Sequence, residues 1–167
     1  MDVATQKVLM SSKKSDYCTP ECVLDKVRAL STDGKIGLDP CYSAEGVTDP
    51  THAYTENING LIQPWTDKGL VFVNPPYGRG LTRWVQKCSE EAAKGAEIVL
   101  LIPARTDTKY FHNYVWNTAQ EICFVKGRIV FMGEEHGAPF PSALVYWGDA
   151  DMTFWKTFKD MGHVVSP

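Results

Sequence analysis

The sequence has no apolar run long enough for a membrane-spanning helix or for the core of a secretory signal peptide. It also has no internal repeat and no low-complexity linker. The opening stretch MDVATQKVLMSSKK is polar and interrupted, so we expect residues 1–15 to form a flexible tail. Because 44% of the 167 residues are hydrophobic, residues 16–167 are expected to form one domain with a substantial core and no membrane partner.

The chain lacks a disulfide pattern, because its five cysteines are an odd number spread over predicted helices and strands. Cys18 and Cys22 have a spacing that can begin a zinc site, but no second Cys or His pair follows at a matching distance. The four histidines also lack matched partners. The sequence therefore predicts no metal site.

Positive charge is not in excess, because the formal net charge is −3, and this argues against a protein coated in basic residues. A net charge of this size still allows one basic cleft beside an acidic remainder. Basic side chains do gather near candidate loops, although ordinary solvated surface is the alternative for each of them. They are Lys13, Lys14, Arg79, Arg83, Lys87, Arg105, Lys109, Lys126 and Arg128.

Short apolar runs alternate with helical patterns, which predicts an α/β fold with a mostly parallel sheet and a terminal antiparallel strand. The segment TPE at residues 19–21 predicts a helix start capped by Thr19, and this helix is expected to end near Asp33. Residues 70–73 form a continuous apolar run, and residues 97–102 are apolar after Glu97, a pattern typical of strands buried on both faces. Further strands are predicted at residues 35–38, 53–55, 122–125, 127–131 and 143–147.

The stretch LVFVNPPYGRG places asparagine, two prolines and tyrosine directly after the strongest predicted strand. Ligands of open parallel sheets bind beyond the carboxyl ends of the strands. Since consecutive prolines lack N–H groups and have fixed φ, the carbonyls of Asn74 and Pro75 can point into a cleft. A simple turn is the alternative, but Asp39-Pro40 after an earlier strand favours a site.

This arrangement suits an exocyclic amine conjugated to an aromatic ring, whose delocalised lone pair is a poor nucleophile. Hydrogen bonds from its two amine hydrogens to Asn74 and Pro75 would favour a tetrahedral nitrogen and free the lone pair for attack. Asparagine is not a base, so the surplus proton is expected to leave to water. Tyr77 offers a planar face on which a nucleobase can stack.

These residues resemble the S-adenosylmethionine-dependent amino-group DNA methyltransferases, and in particular the small phage-type DNA N6-adenine methyltransferases. The matching segments between residues 16 and 148 are DYCTPECVLDKV, LDPCYSAEG, NINGLIQPW, VFVNPPYGRGLTRWVQKC, VLLIPARTDTKYFHNYV, VKGRIVF and PFPSALVYWG. Enzymes that methylate glutamine side chains also carry NPPY, whereas the whole set is more specific. The resemblance implies a Rossmann-like methyltransferase fold, S-adenosylmethionine as cofactor and DNA as substrate.

The resemblance also implies which residues contact the cofactor. The first segment matches the part of the family that lies against the methionine moiety, and the loop after the first strand matches the contacts to its amino and carboxylate groups. That loop lacks the Gly-x-Gly common in methyltransferases. Glu56, after the second strand, is the candidate acid for the ribose hydroxyls. The full set is Asp16, Tyr17, Thr19, Pro20, Asp39, Pro40, Ser43, Glu56 and Asn74.

The catalytic motif of the family matches Asn74, Pro75, Pro76 and Tyr77, with Asn in place of the Asp of many relatives. A base inside a duplex cannot reach such a pocket, so the resemblance implies base flipping. Phe131 matches an aromatic that packs against the flipped base, and an ordinary core aromatic is the alternative. The predicted nucleic-acid-binding residues are Arg79, Arg83, Arg105, Lys109, Arg128 and Phe131.

Several functions remain open on the sequence. Cytosine N4, RNA adenine or a protein glutamine could use the same acceptor geometry, and a non-catalytic DNA-binding protein is a different class. With no segment for a large target-recognition domain, residues 47–65 or 132–141, or a dimer, are expected to supply a short or relaxed specificity. We expect a monomer or homodimer in the cytoplasm, that of a bacterial host if the chain is phage-encoded.

Overall fold

The computed structural model describes residues 16–167, so the predicted tail over residues 1–15 lies outside the described residues. The strands are β1 Leu38–Asp39, β2 His52–Ala53, β3 Val71–Val73, β4 Ile98–Pro103, β5 Glu121–Val125, β6 Ser142–Trp147 and β7 Gly162–Val165. The helices are α1 Glu21–Arg28, α2 Leu81–Ala93 and α3 Thr153–Phe158, with a 3-10 turn at Gly60–Ile62 and a π-helical turn at Phe111–Val115.

The seven strands form a mixed sheet in the order β2-β1-β3-β4-β6-β5-β7. The pairs β1–β2, β1–β3 and β3–β4 are parallel. Strand β6 is antiparallel to both β4 and β5, and β7 is antiparallel to β5. The prediction of an α/β fold with a mostly parallel sheet and a terminal antiparallel strand is confirmed in outline, because the first half of the sheet is parallel and antiparallel strands follow it, three pairs in place of one. The carboxyl ends of β1 to β5 meet at one edge of the sheet.

The side chains of the central strands alternate between two buried layers, one on each face of the sheet. Val71, Val73 and Leu100 belong to one layer, which α2 and the π-helical turn cover. Phe72 and Leu101 belong to the other layer, which α1 and α3 cover. Because both faces are covered, β3 and β4 read as continuous apolar runs, as the sequence predicted.

Helix α1 departs from the sequence prediction at both ends. The N-cap is Pro20, whose ψ of 152° is extended, and the Thr19 hydroxyl makes no capping bond because it accepts a hydrogen bond from Asn74 instead. The helix ends at Arg28, well before Asp33. Turn-type bonds from Leu30 to Val27 and from Ser31 to Arg28 follow it.

The strand predicted at residues 127–131 was wrong. Gly127 has φ of 76°, a left-handed conformation that turns the chain out of the sheet after β5. The segment still alternates between exposed and buried residues, with Ile129 and Phe131 buried, but its backbone bonds run to loops, from Ala138 N–H to Ile129 and from Met132 N–H to Cys18. Strand β7, which the sequence did not predict, pairs with β5 in its place.

Candidate active site

The motif at residues 74–77 begins directly after β3, where the chain leaves the sheet. The side-chain nitrogen of Asn74 donates to the Tyr17 carbonyl oxygen and, at 2.9 Å, to Thr19 Oγ1. A carbonyl oxygen can only accept, so this pairing fixes which end of the carboxamide is the donor. Asn74 Oδ1 therefore faces the other way, as the acceptor of the site.

The Tyr77 hydroxyl occupies that acceptor. It donates to Asn74 Oδ1 at 2.9 Å and also lies 3.3 Å from the Leu101 carbonyl oxygen. Burial raises the pKa of Tyr77 well above its ordinary value, so the phenol is the donor in both contacts. The Pro75 carbonyl oxygen accepts no backbone hydrogen bond within the described loops. The two acceptors expected from the sequence therefore belong to consecutive residues, and one of them, Asn74 Oδ1, is hydrogen-bonded to Tyr77.

Four aromatic rings close this part of the site. Tyr17 stacks on Tyr77 with ring centroids 5.5 Å apart, while Phe131 and Phe140 meet Tyr77 edge to face at 6.5 and 5.5 Å. Phe131 is 1% exposed and also contacts Tyr17 at 5.0 Å. In this conformation Phe131 is a core aromatic that supports the motif, and the Tyr77 face expected to receive a base is covered by Tyr17.

A groove runs from this motif along the carboxyl edge of the sheet, as two adjoining cavities of about 290 and 610 Å³. Asp16, Cys41, Ser43 and Pro76 line both cavities. The smaller one is also lined by Tyr17, Thr19, Asp39, Asn74 and Pro75. The larger one is also lined by Pro40, Tyr54, Glu56, Asn59 and Gly60. This groove unites every predicted cofactor residue except Pro20, which caps α1 and lines neither cavity.

Asp39 lies in the smaller cavity at the end of β1 and is 5% exposed. Its Oδ1 accepts from the Cys41 N–H at 2.9 Å and its Oδ2 from Thr48 Oγ1 at 2.8 Å. Burial raises the pKa of Asp39 to about 6, although both hydrogen bonds favour the ionised form. Such a carboxylate gains most from a cationic partner, and the primary ammonium of an amino acid is one.

Glu56 and Asn59 lie at the far end of the groove, in the turn after β2. Glu56 is exposed. Asn59 has φ of 58° and accepts from the Leu61 N–H, which starts the 3-10 turn. The two ends of the groove therefore differ in the exposure of their acidic residue. The smaller cavity is lined by Asn74 and the buried Asp39, and the larger cavity by the exposed Glu56.

The predicted DNA-binding cations lie at the same edge of the sheet, in the segments that follow the strands, with Arg83 in the first turn of α2. Arg79 and Arg83 follow β3, Arg105 and Lys109 follow β4, and Arg128 follows β5, which runs in the direction of β4. All five are exposed. None forms an ion pair with another residue of the described chain, so the edge that carries the motif also carries available positive charge.

Sequence reasoning missed several residues that build the groove. Thr48 donates to Asp39, Trp84 and Tyr54 line the larger cavity, and Met132 lines the smaller one. Met132 falls in a segment predicted for specificity, but no pattern singled it out. Thr48 lies nine residues from Asp39, in a polar loop whose path only the folded chain reveals.

Within residues 16–167, no group of three His, Cys, Asp or Glu side chains has an arrangement that could hold a metal ion. No helix of that part of the chain is both long and apolar enough to span a bilayer.

Comparison with known families gives the family of the chain. The family model described as DNA N-6-adenine-methyltransferase (Dam) matches residues 6–165. The chain belongs to the Dam family. A comparison with curated proteins finds no match. Membership of the Dam family gives the general activity, methylation of adenine N6 in DNA, and enzymes of this family generally use S-adenosylmethionine.

Proposed function

We propose that this chain transfers a methyl group from S-adenosylmethionine to N6 of an adenine turned out of duplex DNA. The observation that carries this proposal is the orientation of Asn74. Its nitrogen donates to Tyr17 and Thr19, so Oδ1 is the acceptor atom of the side chain, and Asn74 and Pro75 both line the smaller cavity.

The groove suits the cofactor at both ends. Asp39 would hold the ammonium of the methionine moiety, and the backbone around Asp16 and Ser43 lies beside it. Glu56 would accept from the ribose hydroxyls in the larger cavity. The bound cofactor supplies an electrophilic methyl group on sulfur.

The chain's own residues would prepare the amine. An incoming adenine N6 donates one hydrogen to Asn74 Oδ1, in place of the Tyr77 hydroxyl, and the other to the Pro75 carbonyl oxygen. These bonds would favour a tetrahedral nitrogen and leave its lone pair free to attack the methyl group that the bound cofactor would supply. The surplus proton then leaves to water, because no base bonds to Asn74 among the described residues.

The aromatic cluster must open to admit the base. Tyr17 covers the face of Tyr77 at 5.5 Å between centroids, and a flipped adenine would take its place. Stacking on Tyr77 offsets part of the unstacking cost of a few kcal/mol. Phe131 packs against the Tyr17 ring at 5.0 Å, so a base that replaced this ring would also contact Phe131.

DNA would bind along the basic edge. Arg79, Arg83, Arg105, Lys109 and Arg128 are the proposed phosphate contacts. Much of residues 47–65 forms the groove wall, so residues 132–141 are the better candidate for target recognition, with short or relaxed specificity. We also propose that residues 16–167 form a single domain, that the chain is a monomer or a homodimer, and that it is located in the cytoplasm.

The test incubates the protein with methyl-labelled S-adenosylmethionine and, in separate reactions, unmethylated duplex DNA, RNA and a glutamine-containing protein. The nucleic acids are then digested to nucleosides and the protein to amino acids. Label in N6-methyladenine is the expected result, and Asn74→Ala is expected to abolish it. Label in N4-methylcytosine, in RNA adenine or in protein glutamine would replace the proposal by one of the rival substrates. Absence of label from every substrate, with DNA binding intact, would leave a non-catalytic DNA-binding protein.

A further inference from the structure

A buried carboxylate lies outside the chemistry described so far. Glu91, on α2, is 1% exposed. Its Oε1 accepts from Lys87 Nζ and Lys94 Nζ, both at 2.8 Å, and its Oε2 accepts from the backbone N–H of Trp65 at 2.9 Å. Lys87 and Lys94 lie on the same helix as Glu91 and donate to its Oε1. The third hydrogen bond comes from Trp65, 26 residues away in sequence, so contacts within the helix do not explain it.

Trp65 connects Glu91 to the cofactor groove. Its side chain is 0% exposed, stacks on Trp84 with centroids 6.3 Å apart, and lies under the Lys87 ammonium at 5.6 Å. Its indole Nε1 donates to the Gly60 carbonyl oxygen at 2.9 Å. Glu91 and Gly60 are therefore joined through one rigid residue with a hydrogen bond at each end.

Gly60 in turn lies against the loop that follows β1. A Cβ added at Gly60 would lie 2.2 Å from the Pro40 carbonyl oxygen, so only glycine allows this approach of the two backbones. Pro40, Gly60 and Trp84 all line the larger cavity, together with Glu56 and Asn59 of the same turn. Trp65 is therefore hydrogen-bonded to one residue of that cavity's wall, Gly60, and stacked on another, Trp84.

We infer that Glu91 is a positioning residue for the cofactor site: by holding the Trp65 backbone, it fixes the turn at residues 55–60 against Pro40. This inference rests on the proposed function, because it takes the larger cavity to be the nucleoside end of the S-adenosylmethionine site. An N–H buried without an acceptor is costly, so removal of the Glu91 acceptor should displace Trp65 and the turn attached to it.

Three variants separate this role from plain stabilisation. Glu91→Met keeps the volume of the side chain and removes both acceptors. Glu91→Gln keeps one acceptor for the Trp65 N–H and removes the charge. Lys94→Met breaks the ion pair of a lysine whose side chain is 61% exposed and leaves the bond to Trp65 intact.

The measurements are amide hydrogen exchange of residues 55–65 in the protein alone, calorimetric titration with S-adenosylmethionine, and steady-state methylation of duplex DNA. Glu91→Met is expected to speed exchange in that segment and raise the Kd about tenfold, with kcat at saturation within about twofold. Glu91→Gln loses the ion pairs but keeps an acceptor for the Trp65 N–H, so it should restore the Kd, and the exchange through local opening, to within about threefold of wild type. Lys94→Met should leave both unchanged.

Unaltered exchange and Kd in a destabilised Glu91→Met would show a stabilising role only and overturn the inference, as would failure of Glu91→Gln to restore them. If Glu91→Met does not fold, Trp65→Phe replaces it, since this variant removes the indole donor to Gly60. Failure of the wild-type chain to bind S-adenosylmethionine would contradict the proposed function itself and is visible before any variant is made.

Discussion

The carboxamide nitrogen of Asn74 donates to the backbone carbonyl of Tyr17, a residue 57 positions earlier in the chain. This relationship explains why asparagine stands where many relatives of the motif have aspartate. A carboxylate cannot donate, and its oxygen would face the Tyr17 carbonyl oxygen at hydrogen-bond distance. The Tyr17 carbonyl therefore requires a side chain at position 74 that can donate a hydrogen bond, and the proposed reaction permits a neutral one.

Asn74→Asp should accordingly reduce kcat by about one to two orders of magnitude and stability by about 1–3 kcal/mol, the cost of an unpaired buried acceptor. Thermal and urea unfolding together with methylation kinetics measure both effects. The stability deficit should shrink at low pH, because the introduced carboxyl is then protonated and can donate to the Tyr17 carbonyl. Thr19→Val removes only the Thr19 hydroxyl as an acceptor for Asn74 and is the milder control. Wild-type activity in Asn74→Asp would show that the bond to Tyr17 is not needed.

Tyr77 has two separable functions, because its hydroxyl bonds to Asn74 and its ring packs on Tyr17. Tyr77→Phe keeps the ring and vacates Asn74 Oδ1, so kcat/KM should stay within about threefold of wild type. Tyr77→Ala removes the stacking surface, worth about 1–3 kcal/mol for a base, and should lower kcat/KM about 100-fold. Equal losses in both variants would show that the hydroxyl, and not the ring, is what the reaction needs.

The sequence predicts the motif better than the conformation around it. The strand before Asn74 and the loop after it follow from local patterns, since an apolar run and two prolines act over a few residues. The Tyr17 bond to Asn74 and the ring of Tyr17 on Tyr77 are long-range, and no local pattern contains them. That is why Thr19 was expected to cap α1 and instead binds Asn74.

The strands of the sheet also differ in how well local sequence patterns predict them. Strands β3 and β4 are buried on both faces and were predicted, whereas β7 consists mostly of half-buried residues at an edge and was not. At residues 127–131 the composition favours a strand, but the conformation of Gly127 decides the path. Backbone geometry of a single residue is a signal that composition does not carry.

Asp39 should make cofactor binding depend on pH. Its pKa of about 6 means that the carboxylate is ionised above pH 6 and neutral below it, and only the ionised form attracts the ammonium of S-adenosylmethionine. The Kd should therefore rise about tenfold for each pH unit below 6 in calorimetric titrations between about pH 5 and 7. Thr48→Val removes a bond that favours ionisation and should move the break upward, and Asp39→Asn should abolish it. A flat profile in the wild-type chain would exclude this role of Asp39.

The basic edge should give DNA binding a salt dependence that individual variants reduce. Each phosphate contact contributes about −0.9 to the slope of log K against log salt, so Arg79→Gln and Arg105→Gln should each flatten that slope by about one. Fluorescence anisotropy with a duplex at several salt concentrations measures it. Lys35→Gln is the matched control, because Lys35 is exposed before β1 at the opposite edge of the sheet. An equal effect of Lys35→Gln would show diffuse attraction in place of a defined contact surface.

Glu91 should make the fold sensitive to acid. Burial opposes its ionisation, but the hydrogen bonds from Lys87, Lys94 and the Trp65 N–H outweigh it and lower the pKa to about 2 from 4.5. The stabilisation is complete above pH 4.5 and is lost as the pH falls toward 2, and it corresponds to about 3 kcal/mol of unfolding free energy. Urea unfolding at about pH 7 and about pH 3 should therefore separate wild type from Glu91→Gln widely at the higher pH and much less at the lower one. If the difference in unfolding free energy between wild type and Glu91→Gln were the same at both pH values, the shape of Glu91 and not its charge would be stabilising.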